Sequence, residues 1–419
     1  MTKLFKLKNG INCVLNHKRC YKTCTIVVLF KVGSRNEPKG YHGIAHFIEH
    51  MMFKGSITNP SSREISTQIT KYGGKINAFT SYDTTGYYIT INSKYLEKAL
   101  QILTSMLYES CFRQNDIRDE KLIVINENNT RNSDPKQRIN EISMSTTFRG
   151  TNLEHSIGGD NSQIRKYSTF KIFSFLKKYY KNKNMVISIA GKIPNNINIL
   201  LNNYFGNKKF KYNGKNINGV NKIYKNFWKK QKHKQITHVS SNLQHAFINI
   251  SFSVFSLLDD NLLIMDLIGV ILAGNMNSRL FTKLRECNGL VYNVKYHLES
   301  FIDTGIFNIS CSTNNNVKNI LKTIFIIINE FNCLKLGIIT NTELDDAKQY
   351  LIGNMIMNLE DNRIMAKSYA NDLLMTKKIK SISSIKNKIL KINISNISHI
   401  SQLIFNKQKC NISVLGVKS

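Results

Sequence analysis

The sequence has no apolar run approaching the roughly 20 residues that a membrane-crossing helix requires, so no membrane association is expected. Acidic residues are scarce: 27 Asp and Glu stand against 59 Lys and Arg, for a formal net charge of +32. A surplus of that size invites a nucleic-acid reading. No helix-turn-helix, zinc-finger or RNA-recognition signature accompanies it, however. Lys, Asn and Ile are abundant along the whole chain, which reads as a compositional bias on surface positions with no specific nucleic-acid partner. The eight cysteines lack paired metal-type spacings. That excludes a cysteine-based zinc module and leaves buried free thiols in a reducing compartment as the expectation. After the short basic stretch Met1 to Lys8, the Asn9-Gly10 turn leads straight into strand-like Ile11 to Leu15. No apolar leader core follows, and the expected location is cytoplasmic.

What is present is ample material for a core. Of 419 residues, 42% are apolar and 10% aromatic, enough for two or three domains of ordinary size. The chain reads as a diverged tandem repeat. Strand-like Met185 to Gly191 is echoed by Cys410 to Gly416, and Thr23 to Ser34 by His245 to Ser256. Both pairs lie about 220 residues apart. Each member of the second pair leads into a helical pattern, around residues 42–54 and 261–273. The strands are often consecutive, which predicts an α+β fold of two pseudo-repeat domains, each an antiparallel sheet with helices packed on one face. The predicted boundaries are residues 1–205 for the first domain and 235–419 for the second. Between them, 206–234 is dense in Lys, Asn and Gly and reads as a basic, solvated linker.

The chemistry concentrates in His46-Phe47-Ile48-Glu49-His50. Apolar residues Ile44, Phe47, Ile48, Met51 and Met52 recur at helical spacing around it. On a helix, positions i, i+3 and i+4 share a face, so His46 and His50 can hold one ion while Glu49 projects beside it. Imidazole suits zinc, and a catalytic zinc site keeps three protein ligands and one open position. A neighbouring carboxylate can then act as general base toward water. The order H-x-x-E-H is the inverzincin signature. Taken alone, the pentapeptide has a second reading, two histidines and a glutamate on a wet helix face. Asp116 to Arg131 reads as a second helix on which Glu120 and Glu127, seven residues apart, share a face. Glu127 is the candidate third ligand, and Glu120 is either its hydrogen-bonding companion or an ordinary surface glutamate.

With Glu127 following at a distance, His46-x-x-Glu49-His50 resembles the pitrilysin and mitochondrial-processing-peptidase family, in its bacterial two-domain branch. Gly73-Gly74-x-x-Asn77-Ala78-Phe79-Thr80 is similar to that family's strand along the catalytic cleft. Ser278-Arg279-Leu280-Phe281, Leu284-Arg285-Glu286 and Gly289-Leu290-Val291-Tyr292 match its second-half block in the same order. The resemblance runs from about residue 7 to the C-terminus. It implies a zinc-dependent endopeptidase with one zinc per chain, held by His46, His50 and Glu127, with Glu49 as general base. Only the first half would carry metal. A shift of about 224 residues places Val270, Ala273 and Gly274 where His46, Glu49 and His50 stand, and none of these binds zinc.

The resemblance also implies how a peptide substrate is held. An extended or unfolded segment would add as a strand beside Asn77 and Ala78. Arg285 and Tyr292 would donate to its carbonyl oxygens near the scissile bond. The alternatives are a plain strand for the first pair and a surface ion pair for Arg285. In four-domain relatives the arginine–tyrosine pair facing zinc comes from the last domain. A two-domain chain would therefore complete its site across a homodimer, or a heterodimer with a related chain. A different outcome of the same ancestry is a non-catalytic structural subunit, and there parts of the zinc motif are lost. His42, His155 and His233 have no ligand spacing with one another and read as structural or solvated.

Overall fold

The computed structural model describes residues 2–217, 223, 224, 227, 231 and 235–417. Its first strands are β1 (Thr2–Lys6), β2 (Asn12–His17), β3 (Thr23–Phe30), β4 (Lys75–Thr80), β5 (Thr85–Asn92) and β6 (Met185–Gly191). Those of the second half are β7 (Gln235–Val239), β8 (His245–Val254), β9 (Val291–Ser300), β10 (Gly305–Asn314) and β11 (Asn411–Leu415). The helices that frame them are α1 (Ile44–Met51), α2 (Leu96–Tyr108), α3 (Gln114–Ser133) and α4 (Pro135–Thr147) in the first half. In the second half they are α5 (Asn261–Ala273), α6 (Val317–Lys335), α7 (Asn362–Thr376) and α8 (Ile394–Ile404). Two compact units form, and neither is one continuous stretch of chain. Thr130–Glu154 belongs with the second and Met357–Ile379 with the first.

In the first unit the strand order is β1-β2-β6-β3-β5-β4. Alternation along β3 sends Cys24, Ile26, Val28 and Phe30 into a core shared with α1 and α2. The opposite face carries Thr25, whose hydroxyl lies 2.9 Å from that of Thr90 on β5. Helix α7 covers this face, packing on β3 and β6, so the sheet is clothed on both sides. β4 forms one edge of the sheet and β1 the other, and α1 runs beside β4.

The second unit repeats the pattern as β7-β11-β8-β10-β9. Ala246, Ile248, Ile250, Phe252 and Val254 of β8 enter a core with α5, α6 and α8. On the other face Ser251 meets the hydroxyls of Ser143 and Thr147, both from α4, at 3.1 and 2.8 Å. Apart from β1 the two sheets have the same order, as the repeat in the sequence implies. Each departs from all-antiparallel pairing at one place: β2 runs parallel to β6, and β7 parallel to β11. Strands so far apart in sequence are joined by long crossovers, and a crossover permits the parallel arrangement.

The basic segment expected over 206–234 lies partly outside the described residues. Its first part does not run free. Phe210 stacks on Tyr108 with centroids 4.2 Å apart, and the Tyr212 hydroxyl donates to the Leu107 carbonyl at 2.7 Å. Two aromatics among many lysines and asparagines are enough to dock the segment on the first core. Among the described residues no helix is long and apolar enough to cross a membrane.

Candidate metal centre

Helix α1 is short and almost wholly buried, so its start must be anchored by something other than solvent. Glu37, itself 1% exposed, supplies the anchor. Its two carboxylate oxygens accept from the Gly43 and Ala45 backbone N–H groups, each at 2.8 Å. Gly43 has φ 97°, and a Cβ there would come within 2.7 Å of the Gly158 carbonyl. Only glycine permits this approach of two backbones. The same carbonyl accepts from the Asn128 side chain at 3.0 Å. The loop that clamps the start of α1 therefore also holds α3 at the residue next to Glu127.

The result is a cluster of three ligand atoms. His46 Nε2 and His50 Nε2 are 3.2 Å apart, and Glu127 lies 3.7 Å from the first and 3.3 Å from the second. All three ligand atoms fall within 4.8 Å of one another. Zinc bonds of roughly 2.0–2.2 Å in a tetrahedron separate ligand atoms by about 3.3–3.6 Å. The donor set and the spacing fit that ion. The His50 ring is oriented from behind: Nδ1 lies 2.8 Å from Glu120 Oε1, which leaves Nε2 for a metal. Glu120 is 3% exposed and also pairs with Lys54. Burial lowers the His50 pKa, but its bonds to Glu120 and Glu127 outweigh that and hold it up at about 9. Carboxylates that favour a proton here favour a divalent cation in its place.

Glu49 projects beside the cluster and is 9% exposed. Burial raises its carboxyl above the usual range, and a 2.6 Å hydrogen bond from the Thr80 hydroxyl to Oε2 partly offsets this. A base poised upward is suited to taking a proton from water. Glu49, His50, Lys54, Ile76, Asn77 and Glu120 line an open cleft of about 690 Å³, comparable to ordinary ligand sites.

His46, His50, Glu49, Glu120, Glu127, Asn77 and Ala78 thus lie together in the first unit. Arg285 and Tyr292 lie in the second. There the guanidinium carbon of Arg285 sits 4.8 Å from the Tyr292 ring centroid and 4.9 Å from that of Phe281. Arg285 falls in a π-helical turn, Phe281–Glu286, and no carboxylate pairs with it among the described residues. Arg279 behaves differently: it is bound by Glu343 at 2.5 Å and by Glu330 at 3.5 Å, which makes it structural. Tyr292 is 80% exposed.

Sequence reasoning passed over Glu37, Lys54 and Thr80. Thr80 closes the Gly73–Thr80 motif and was within reach of it, whereas Glu37 and Lys54 carry no pattern. The rings of His42 and His155, which lack any ligand spacing, lie with centroids 3.9 Å apart. His233 falls outside the described residues.

Comparison with known proteins adds to this geometry. A family model described as "Insulinase (Peptidase family M16)" matches residues 12–161, and one described as "Peptidase M16 inactive domain" matches residues 170–351. A Bacillus subtilis protein named as an uncharacterized zinc protease is 27% identical over 97% of this chain and 96% of its own length. Subunit 1 of the mitochondrial cytochrome b-c1 complex of Bos taurus is 28% identical over 45% of this chain and 39% of that subunit. A solved protease from Helicobacter pylori superposes with a TM-score of 0.89 over 99% of each chain, at 22% identity, a likeness of fold.

Proposed function

The chain belongs to peptidase family M16, and from that premise we propose that it is a zinc-dependent endopeptidase that cleaves extended peptides or unfolded segments. The observation that carries this reading is the convergence of His46, His50 and Glu127 within 4.8 Å, with Glu49 buried beside them. His46, His50 and Glu127 would hold one zinc, and Glu120 would keep the His50 ring turned toward it. When bound, zinc supplies Lewis-acid chemistry, lowering the pKa of water and polarising a carbonyl.

The chain's own residues do the rest. Glu49 takes the proton as water attacks the peptide carbon and returns it to the leaving amine. The Thr80 hydroxyl holds the Glu49 carboxylate in place from the neighbouring strand. The free edge of β4 accepts the substrate as an added strand at Asn77 and Ala78, which gives affinity through backbone bonds without demanding one sequence. Arg285 and Tyr292, both donors, would meet carbonyl oxygens of the substrate, and a homodimer would bring them to the zinc of the partner.

The second reading, a structural subunit without catalysis, draws on the likeness to subunit 1 of the mitochondrial cytochrome b-c1 complex. Metal analysis with a quenched-fluorescent peptide assay separates the two. Chelation should abolish cleavage and zinc should restore it. Glu49→Gln should keep about one zinc per chain and lose several orders of magnitude in turnover. Full activity in Glu49→Gln would sink the assignment of the base. Zinc bound with no cleavage of any peptide would favour the structural subunit.

A further inference from the structure

β4 presents its free edge beside the metal cluster, and its two faces differ. Thr80 reaches Glu49 on the α1 side, where Ile76 and Ala78 also pack on the core. The Ala78 N–H donates to Asn77 Oδ1 at 2.8 Å, so it points away from β5 to where an added strand would lie. Alternation sends Phe79 to the opposite face, the one α7 covers. Phe79 pairs with Gly86 on β5, and a Cβ at Gly86 would come within 2.6 Å of the Phe79 ring. The missing side chain lets the ring lie flat on the strand.

Lys367, on α7, rests on this surface. Its ammonium is 3.9 Å from the Phe79 centroid and 4.6 Å from that of Tyr88. Arg363, one turn earlier on α7, hydrogen-bonds Tyr88 and is 3.4 Å from Asp361. Lys367 is half-buried, and no carboxylate forms an ion pair with it among the described residues. Burial, with the neighbouring Arg363, holds its pKa below the usual lysine value, and the fields of Glu49 and Asp361 offset only part of this. Two aromatic faces hold the cation in place without neutralising it.

We propose that Lys367, assisted by Arg363, is a specificity-determining residue that selects a carboxylate in the substrate strand, at the residue standing across from Phe79. The proposal rests on the endopeptidase reading above and names the class of peptide it takes. In an added strand, the residue opposite Phe79 points to the same face as Phe79, with Cβ atoms about 4.5–5.5 Å apart. An Asp or Glu side chain there reaches the ammonium, and a Lys there meets the like charge of Lys367.

The test uses the zinc-loaded full-length protein and quenched peptides amidated at the C-terminus. A single Glu, Gln or Lys is moved through each position around the scissile bond. A parallel series with a free C-terminal carboxylate shows whether a chain end serves as well as a side chain. Glu should exceed Gln by about tenfold in kcat/KM at one position, mainly through KM, with Lys lowest. In Lys367→Gln the Glu-to-Gln ratio should fall to within about twofold of unity, in Lys367→Glu the order should invert, and Lys367→Arg should keep the preference. Zinc content measured on each variant guards against misfolding. A ratio near unity at every position in the wild type, or a ratio that survives Lys367→Gln, overturns the proposal. Absence of any cleavage would bring down the endopeptidase reading itself, whereas cleavage without acid preference removes only the selection.

Discussion

Replacing Glu120 by Ala should weaken zinc binding about 10–100-fold, or roughly 1.4–2.8 kcal/mol. The magnitude follows from what the carboxylate does. Its Oε1 is 2.8 Å from His50 Nδ1, and its side chain is only 4% exposed. Hydrogen bonds to charged groups contribute about 1.5–3 kcal/mol. Removal leaves the His50 Nδ1–H without its acceptor and Lys54 without its partner. The ring is then free to turn its Nε2 away from the other two ligand atoms. Water entering the open cleft recovers part of the loss, which keeps the effect below that of deleting a ligand. Glu120→Gln retains an oxygen for His50 and loses only the charge, so it should fall between Ala and wild type. Asp119→Ala, at an exposed neighbour that pairs with Arg118 on the surface, should leave affinity unchanged. The assay is competition for zinc with a chromophoric chelator, alongside circular dichroism to check folding. A folded Glu120→Ala protein that holds zinc as tightly as the wild type would refute the orienting role.

Two further outcomes follow. If the site is completed across a dimer, mixing Glu49→Gln with Arg285→Ala should restore roughly a quarter of wild-type activity. Random co-assembly gives about half the dimers in mixed form, each with one intact site, and no recovery with mixed dimers present rules out a shared site. Burial pushes the Cys24 and Cys311 thiols up to about 12 and that of Cys13 higher still, whereas Cys20 and Cys287 are exposed. Since the thiolate is the reactive form, a colorimetric thiol titration near pH 8 should show Cys20 and Cys287 reacting first, in a fast phase absent from Cys20→Ser/Cys287→Ser. Fast reaction of Cys13, Cys24 or Cys311 in the folded protein would contradict the buried core.

The sequence by itself determined whatever depends on the local period of the backbone. A helix of 3.6 residues per turn places His46, Glu49 and His50 on one face whatever surrounds it, and it aligns Glu120 with Glu127 seven residues on. The alternation of β3 and β8 was legible for the same reason, and the spacing between them exposed the repeat. The tertiary structure alone decided which groups meet across the chain. Glu37 capping α1, the contact of Gly43 with Gly158, and Thr80 reaching Glu49 depend on how distant segments pack, and no period records that. It also decided the parallel pairing of β2 with β6 and the docking of Phe210 and Tyr212 on the first core. The same holds for α4 and α7, which lie on the sheet faces that consecutive reading left uncovered. Lys367 comes beside β4 only because α7 packs across β3 and β6. Its position is a property of the folded surface, where burial and charge act through space.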